Sequence, residues 1–184
     1  MTARASLRDL TRPAHEVTDA AFSALDLTRR GDYRLFLHAH LLAWSALEPV
    51  FAEDLPEGLR PPAMSDTLAA DLASFGEQEP VQAPPSFAED AMGAAYVVAG
   101  SHFGQKVLSR RHARSEDDAV RMAGRYLSSP ALARYWPVLR KALEDTIRTP
   151  ERLDAIAKGA EATFSLFVGC LDIARRQGAP HEFA

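Results

Sequence analysis

Two residues near the amino terminus have the types and the spacing of a metal ligand with its support. His15 and Asp19 lie four positions apart in a segment with helical periodicity, which places the carboxylate one turn after the imidazole. A carboxylate there can accept the ring N–H of the histidine, fix its tautomer and leave the other nitrogen as an axial ligand for iron. The spacing alone favours an ordinary surface pair, so the rest of the chain must decide between the two interpretations.

Two glycines in the middle of the chain are the second unusual feature. Gly100 and Gly104 lie four residues apart within residues 91–111, where the apolar pattern otherwise predicts an uninterrupted helix. Each glycine costs such a helix about 1 kcal/mol relative to alanine. We therefore expect something to press closely against this backbone. A bound ligand and a tightly packed neighbouring helix both meet that expectation.

The elements that must position these residues are all predicted to be helices. Apolar residues recur at helical spacing, and no segment has the alternation of β-branched residues that predicts a strand. Pro13 predicts a kink just before His15, or a later start of the first helix near Thr11. We expect a single all-α domain, residues 1–184, in which about seven helices form a bundle. One helix starts near residue 7, and the others span about 31–51, 65–75, 87–111, 116–127, 130–147 and 150–178.

Composition argues against several classes of protein. A chain of 184 residues with 47% hydrophobic and 25% charged residues is an ordinary globular domain, and a domain of this size buries roughly 70% of its surface. A net charge of −4 argues against a general nucleic-acid binder. The single cysteine, Cys170, forms no internal disulfide, and no secretory leader or apolar run of about 18 residues stands out. We therefore expect a cytoplasmic protein with no membrane and no nucleic-acid partner.

Five motifs, spread in order along nearly the whole chain, resemble those of the heme oxygenase family. The resemblance is to its bacterial, biliverdin-producing branch, often found beside bacterial phytochromes. No single motif is diagnostic, but their order and spacing in a short all-helical chain are specific. The motifs are Thr11-Arg12-x-x-His15, Tyr33-x-x-Phe36-Leu37-x-x-His40 leading to Leu47-Glu48, Tyr96-Val97-x-x-Gly100-Ser101-x-x-Gly104, Arg110-Arg111 and Ala162-Thr163-Phe164-x-x-Phe167.

The resemblance implies a heme-oxygenase fold and the oxidative cleavage of heme to biliverdin, carbon monoxide and ferrous iron. The reaction uses O₂ and an external electron donor, and heme is both its substrate and its cofactor. The resemblance makes His15, supported by Asp19, the proximal ligand of the heme iron. It places Gly100 and Gly104 directly against the porphyrin on the oxygen side. Ser101 would help to hold the water that supplies protons there, a role that eukaryotic relatives give to an aspartate.

The same resemblance assigns the rest of the pocket and its partners. Cations at the mouth would bind the two heme propionates, and phenylalanines of the last helix would pack on the ring. A ferredoxin or a reductase would supply electrons by docking at a basic cluster, and a biliverdin-binding phytochrome would take the product. Solvated surface charge and ordinary core packing are the alternative interpretations. The residues are Arg8, Arg12, Arg140 and Lys141 for the propionates, Phe164 and Phe167 for the ring, and Lys106, Arg110, Arg111, His112 and Arg114 for the donor.

Two residues depart from the family pattern and leave other functions open. Gln105 stands where many relatives have a small residue, and Cys170 stands where they often have tryptophan. If Gln105 closes the oxygen side, the chain is a heme-binding carrier or sensor without turnover. Related folds without heme include di-iron oxidases, for which His40, Glu48 and Glu53 offer ligands but no second matching set. A thiamin-degrading enzyme would need Cys170 as nucleophile, although its apolar run predicts a buried, inert thiol.

Overall fold

The computed structural model describes residues 3–76 and 83–178. These residues contain nine α-helices and no strand. The prediction of an all-α bundle is therefore confirmed. A short 3₁₀ turn, Glu57–Leu59, follows the second helix. The helices are α1 Ala3–Ser23, α2 Arg30–Asp54, α3 Ser65–Ala73, α4 Ala91–Gly100, α5 His102–His112, α6 Asp118–Met122, α7 Arg125–Ser128, α8 Ala131–Thr146 and α9 Pro150–Gly178.

The number of helices exceeds the expected seven because two predicted helices are each divided. The helix expected over 87–111 begins only at residue 91 and breaks at Ser101, and the one expected over 116–127 breaks before Gly124. The second break is stabilised by a residue that is far away in the sequence. The buried carboxylate of Asp71 accepts hydrogen bonds from the backbone N–H groups of Arg125 and Tyr126, at 3.0 and 2.8 Å, and so caps α7.

α1 is continuous through its proline. It runs from Ala3 to Ser23 with Pro13 inside, so the alternative start near Thr11 is wrong. The hydroxyl of Thr11 donates to the carbonyl of Leu7 at 2.9 Å, and the Leu7 side chain is fully buried. These contacts anchor the first turns of α1 on the core, which keeps the following residues helical despite the proline.

α2 is the apolar core helix. By length and composition it is also the one helix in residues 3–76 and 83–178 that could cross a membrane, contrary to the expectation that no segment approaches such a span. More than half of its apolar stretch is buried within the protein, and Leu37, Trp44 and Leu47 are completely buried. The burial of these side chains against the other helices accounts for the apolar character of α2.

α4 and α9 cross at a point where glycine is required on both helices. A Cβ added to Gly93 would lie 2.6 Å from the backbone nitrogen of Ala160 and closer still to the carbonyl oxygen of Ile156. A Cβ added to Gly159 would lie 2.5 Å from the carbonyl oxygen of Asp90. The two backbones therefore touch, and this crossing holds α4 in place along the central helix.

Candidate functional site

A cavity of about 810 Å³ opens between α1, α2, α4, α5, α7, α8 and α9. Its volume lies within the ~300–1,000 Å³ typical of small-molecule sites. Most of the predicted site residues meet in its wall, although they come from opposite ends of the sequence. These are Arg8, Arg12, His15, Asp19, Gly100, Ser101, Gly104, Phe164 and Phe167.

The α1 wall of the cavity contains the histidine and aspartate of the amino-terminal motif. Nδ1 of His15 lies 3.3 Å from Oδ2 of Asp19, one helical turn away, and both side chains are more than half exposed. The imidazole stands edge-on against the ring of Phe164, with centroids 5.4 Å apart at 88°. With Nδ1 directed at the carboxylate, Nε2 is the nitrogen that remains for a ligand in the cavity.

The α4–α5 wall of the cavity is bare backbone. A Cβ added to Gly100 or to Gly104 would meet no atom of another element within 4 Å among the described residues. The interpretation of this pair as a tight helix–helix contact is therefore wrong. The space that their side chains would enter belongs to the cavity, because both glycines line it.

The same wall is broken at Ser101, between the two glycines, so the expectation of an uninterrupted helix is wrong. The Ser101 hydroxyl donates to the carbonyl of Val98 at 2.8 Å, and Nδ1 of His102 donates to the carbonyl of Ala99 at 2.7 Å. These side chains satisfy carbonyls at the carboxyl end of α4, which stabilises the break. The Ser101 oxygen keeps lone pairs that can accept a hydrogen bond from a water in the cavity.

His102 lies outside the cavity wall, as expected of a packed or surface histidine. Its ring contacts those of Phe103 and Trp136, with centroid distances of 3.8 and 5.7 Å. Phe103 and Trp136 themselves line the cavity. His102 therefore supports the aromatic rim from behind and does not point at the ligand space.

Two of the four predicted propionate-binding cations reach the cavity. Arg8 and Arg12 line it and share Asp9 as a partner, with Nη2–Oδ1 distances of 3.6 and 2.5 Å. Both guanidinium groups are largely exposed, so they can exchange this partner for an anion at little cost. Arg140 and Lys141 are exposed on α8 and lie outside the cavity wall.

The inner end of the cavity contains polar residues that the sequence analysis did not assign to it. Both His40 and Tyr126 line the cavity, but His40 was named only in a family motif and as a possible di-iron ligand, and Tyr126 was not singled out. Nδ1 of His40 lies 2.8 Å from the carbonyl oxygen of Phe36, and burial lowers the pKa of this imidazole to about 4. Burial raises the pKa of Tyr126 to about 12, and its hydroxyl accepts from Nε1 of Trp44 at 3.4 Å. The helical motif around His40 was a usable signal, whereas the four-residue helix of Tyr126 has no readable periodicity.

The two departures from the family pattern lie away from the cavity wall. Gln105 is buried, and its Nε2 donates to the carbonyl of Tyr126 at 3.5 Å, so it attaches α5 to α7 and does not close the oxygen side. Cys170 is fully buried, and burial raises the pKa of its thiol to about 11. A thiol in that environment is a poor nucleophile at neutral pH, which argues against the thiamin-degrading alternative.

Of the residues considered for a di-iron centre, Glu48 has a structural role, Glu53 is exposed and His40 lines the cavity. Oε1 of Glu48 accepts from the backbone N–H groups of Met64 and Ser65, at 2.8 and 2.9 Å, and so caps α3. Within residues 3–76 and 83–178, no group of three or more His, Cys, Asp or Glu side chains is placed to hold a metal ion. The arrangement in this part of the chain argues against the di-iron alternative.

The basic cluster that follows the cavity glycines is smaller than predicted. Lys106, Arg110, Arg111 and Arg114 are exposed. His112 is buried, its Nε2 donates to the carbonyl of Val120 at 2.6 Å, and it does not belong to this surface. Four exposed cations therefore remain on α5 and just after its end.

Comparison with known proteins identifies the fold. The sequence matches no protein-family model and no curated protein. The structure is similar to the crystal structures of the NO- and CO-bound heme oxygenase from Neisseria meningitidis. The TM-score is 0.70, the alignment covers 95% of this chain and 92% of that one, and 20% of the residues are identical. This chain therefore has the all-α fold of a bacterial heme oxygenase.

Proposed function

We propose that this protein is a heme oxygenase that cleaves heme to biliverdin, carbon monoxide and ferrous iron. The observation that supports this most directly is the pairing of the two cavity walls. One wall presents an imidazole supported by a carboxylate, and the other presents backbone that no side chain of the described residues covers. A flat, iron-centred ligand fits between such walls, because one face needs a nitrogen ligand and the other needs open access for oxygen.

The residues present fit heme in charge and shape as well as in ligation. His15 would bind the iron through Nε2 while Asp19 holds its other nitrogen. Arg8 and Arg12 would pair with the propionates in place of Asp9, since both are exposed at the cavity wall. Arg140 and Lys141 lie outside that wall, so this proposal gives them no direct contact. Phe164 and Phe167 would pack against the porphyrin face and edge.

The heme, when bound, supplies the oxygen activation and the electron transfer. The protein's part on the oxygen side is orientation and water. Gly100 and Gly104 allow main chain to approach the ring closely, which restricts the porphyrin edges that are open to attack. The Ser101 oxygen can accept a hydrogen bond from a water there, while its own O–H group donates to the carbonyl of Val98.

The electron donor is an acidic redox protein, a ferredoxin or a reductase, that docks on α5. Lys106 and Arg110 lie on this helix close to Gly104, so a donor bound there would be near the heme edge. Opposite charge would accelerate the encounter and make it sensitive to salt. We expect the turnover rate with a ferredoxin to fall as ionic strength rises, and an unchanged rate would contradict docking at these cations. A cytoplasmic location and a biliverdin-binding phytochrome as recipient of the product complete the proposal.

A titration with hemin followed by product chromatography tests the proposed reaction. We expect one hemin to bind per chain with a Soret band, and ascorbate or a ferredoxin system to convert it to biliverdin. A Soret band that persists while no biliverdin forms would instead identify a heme carrier or sensor. Failure of the purified protein to bind hemin would contradict both functions.

The variant His15→Ala tests the ligand directly. Loss of the axial nitrogen should change the absorption spectrum of the hemin complex, while the urea midpoint of the protein without heme stays nearly unchanged because His15 is half exposed. An unchanged hemin spectrum would assign the iron to another residue. Asp19→Asn, which keeps the shape and removes the charge, should produce a smaller change of the same kind.

A further inference from the structure

A second, smaller cavity lies at the ends of the helices that carry His15 and Gly104. It has a volume of about 330 Å³. One side of it is the connection between α1 and α2, residues 23–28. The other side is formed by Arg111 and Arg114, at the end of α5 and just beyond it. The small cavity therefore lies where both of these helices end.

Two arginines of the basic cluster line the small cavity. Arg111 and Arg114 are exposed, and neither side chain has a hydrogen bond or an ion pair within residues 3–76 and 83–178. They lie three positions apart, and the backbone of Ala113 between them keeps a right-handed helical conformation. Both guanidinium groups therefore extend from the same side of this turn.

Two guanidinium groups on the same side of a turn favour a tetrahedral oxyanion. Each guanidinium group presents a planar fork of N–H donors that fits two oxygen atoms of a phosphate. A phosphate group has enough oxygen atoms to accept from both forks, whereas a carboxylate has only two. The cavity is larger than a single ion, so it also has room for waters or for part of a phosphate ester.

Among the described residues that line the small cavity, Asp26 is the one carboxylate. Its Oδ1 accepts from the hydroxyl and from the backbone N–H of Thr28, at 2.7 and 3.0 Å, and these hydrogen bonds lower the pKa of the carboxyl group. Two guanidinium groups and one carboxylate leave the wall with a net charge of +1. The wall therefore attracts an anion, and Asp26 limits how tightly the anion binds.

Side-chain hydrogen bonds hold the two sides of the small cavity together. The Ser115 hydroxyl donates to the carbonyl of Thr28 at 2.7 Å. The guanidinium group of Arg30 donates to both carboxylate oxygens of Asp117, at 2.7 and 2.9 Å. These contacts join the start of α2 to the segment that follows α5. The cavity is therefore already formed before a ligand binds, which lowers the cost of binding.

We propose that the small cavity binds a phosphate group, which accepts from Arg111, Arg114 and the hydroxyl of Ser23 at the end of α1. The bound anion would link the end of α1 to the end of α5. Its consequence for heme rests on the proposed heme oxygenase function. Phe22, next to Ser23, and Leu108, three residues before Arg111, both line the large cavity. An anion that ties these segments together should therefore slow the release of heme.

Calorimetric titration of the protein without heme tests the site, with inorganic phosphate as the probe. At constant ionic strength and neutral pH, we expect saturable binding of one phosphate per chain. Arg111→Gln and Arg114→Gln should each weaken it at least about tenfold, because each removes hydrogen bonds from a charged donor. Asp26→Asn should strengthen it about fivefold, because the repelling charge is lost while an oxygen that can accept from Thr28 remains.

Arg110→Gln is the matched control for these variants. It removes the same charge one position earlier on α5, outside the wall of the small cavity. It should change the affinity for phosphate by less than about twofold. An equal loss in Arg110→Gln would mean that phosphate only screens the basic cluster. That result, or the absence of saturable binding in the wild type, would overturn the site.

The same titration distinguishes a free phosphate from the phosphate group of a larger molecule. Tighter binding of glycerol phosphate than of inorganic phosphate would identify a phosphate ester, whose remaining atoms occupy the rest of the cavity. Equal or weaker binding of glycerol phosphate would identify the free anion. Both results support the site, and in both the affinity should fall in Arg111→Gln.

The rate of hemin transfer from this protein to apomyoglobin tests the link between the two cavities. Phosphate should slow this transfer about fivefold in the wild type and leave it unchanged in Arg114→Gln. Equal rates with and without phosphate in the wild type would overturn the link. Failure to bind hemin would contradict the proposed function, while the titration of the protein without heme would still decide the phosphate site.

Discussion

Two pairs of helical glycines in this protein have opposite surroundings. Gly93 and Gly159 lie where α4 crosses α9, and a Cβ on either would enter the backbone of the other helix. Gly100 and Gly104 line the cavity, where a Cβ on either would meet no other element of the described chain. The first pair is explained by the protein alone. The second pair has no such contact among the described residues, and our proposal explains it by the ligand that the cavity would bind.

The largest expected loss of stability comes from adding a side chain at the crossing of α4 and α9. Gly93→Ala should destabilise the protein by about 3 kcal/mol or more, because backbone atoms of α9 cannot yield as a side chain can. Urea unfolding of the protein without heme measures this loss. A stability within about 0.5 kcal/mol of the wild type would mean that the two helices do not touch as described.

His40, at the inner end of the cavity, should make the stability of the protein depend on pH, whereas the two glycines at the crossing of α4 and α9 do not titrate. The His40 pKa is about 4 when folded and about 6.5 when unfolded, so the unfolded state binds more protons below pH 6.5. We expect stability to fall by about 2 kcal/mol between pH 6.5 and 4, and His40→Gln to remove most of this loss. The Asp117 carboxylate, with a pKa near 2, loses its contribution only at lower pH. Equal pH dependence of the two proteins in denaturant unfolding would contradict the burial of a neutral His40.

A larger side chain on the α4–α5 wall of the cavity should weaken heme binding and leave the fold intact. Gly104→Leu should leave the protein without heme folded and slightly more stable, since leucine favours a helix over glycine. Hemin affinity and biliverdin formation should each fall at least about tenfold, a loss of about 1.4 kcal/mol in binding. Wild-type biliverdin formation by this variant would mean that α5 does not cover the iron.

The smallest expected effect is the most discriminating comparison. Gly100→Ala and Gly169→Ala should each raise the stability of the protein without heme by about 0.5–1 kcal/mol, because neither Cβ meets another element among the described residues. Gly169 is exposed on α9 away from the cavity wall. Only Gly100→Ala should alter the hemin spectrum or the distribution of biliverdin isomers. Identical hemin complexes in both variants would break the contrast between the two glycine pairs.

Helical periodicity predicted the all-α bundle, because the burial of one face of a helix depends on neighbours within a turn or two. The breaks were not predictable in this way. The break at Ser101 depends on side-chain hydrogen bonds to carbonyl groups at the end of α4. The start of α7 depends on the carboxylate of Asp71, which lies 54 residues earlier in the chain than Arg125. A periodic apolar pattern gives no information about which side chains will cap the end of a helix.

The site was predictable where its members are close in sequence. His15 and Asp19 are one turn apart, so their spacing alone placed them together. His40 and Tyr126 come from different helices, and their meeting at the cavity end has no local signal. The same holds for the cations. Arg12 lines the cavity and Arg140 does not, although both had been proposed from the sequence to bind the propionates.

Gly93 and Gly159 also passed unremarked in the sequence, while Gly100 and Gly104 stood out. The residue types and their local spacing determined the helices, the supported imidazole and the cost of glycine in a helix. Only the tertiary structure decided which glycines touch another backbone and which border a cavity. The physical reason is that a missing Cβ has the same local cost everywhere, whereas its benefit depends on what approaches from another part of the chain.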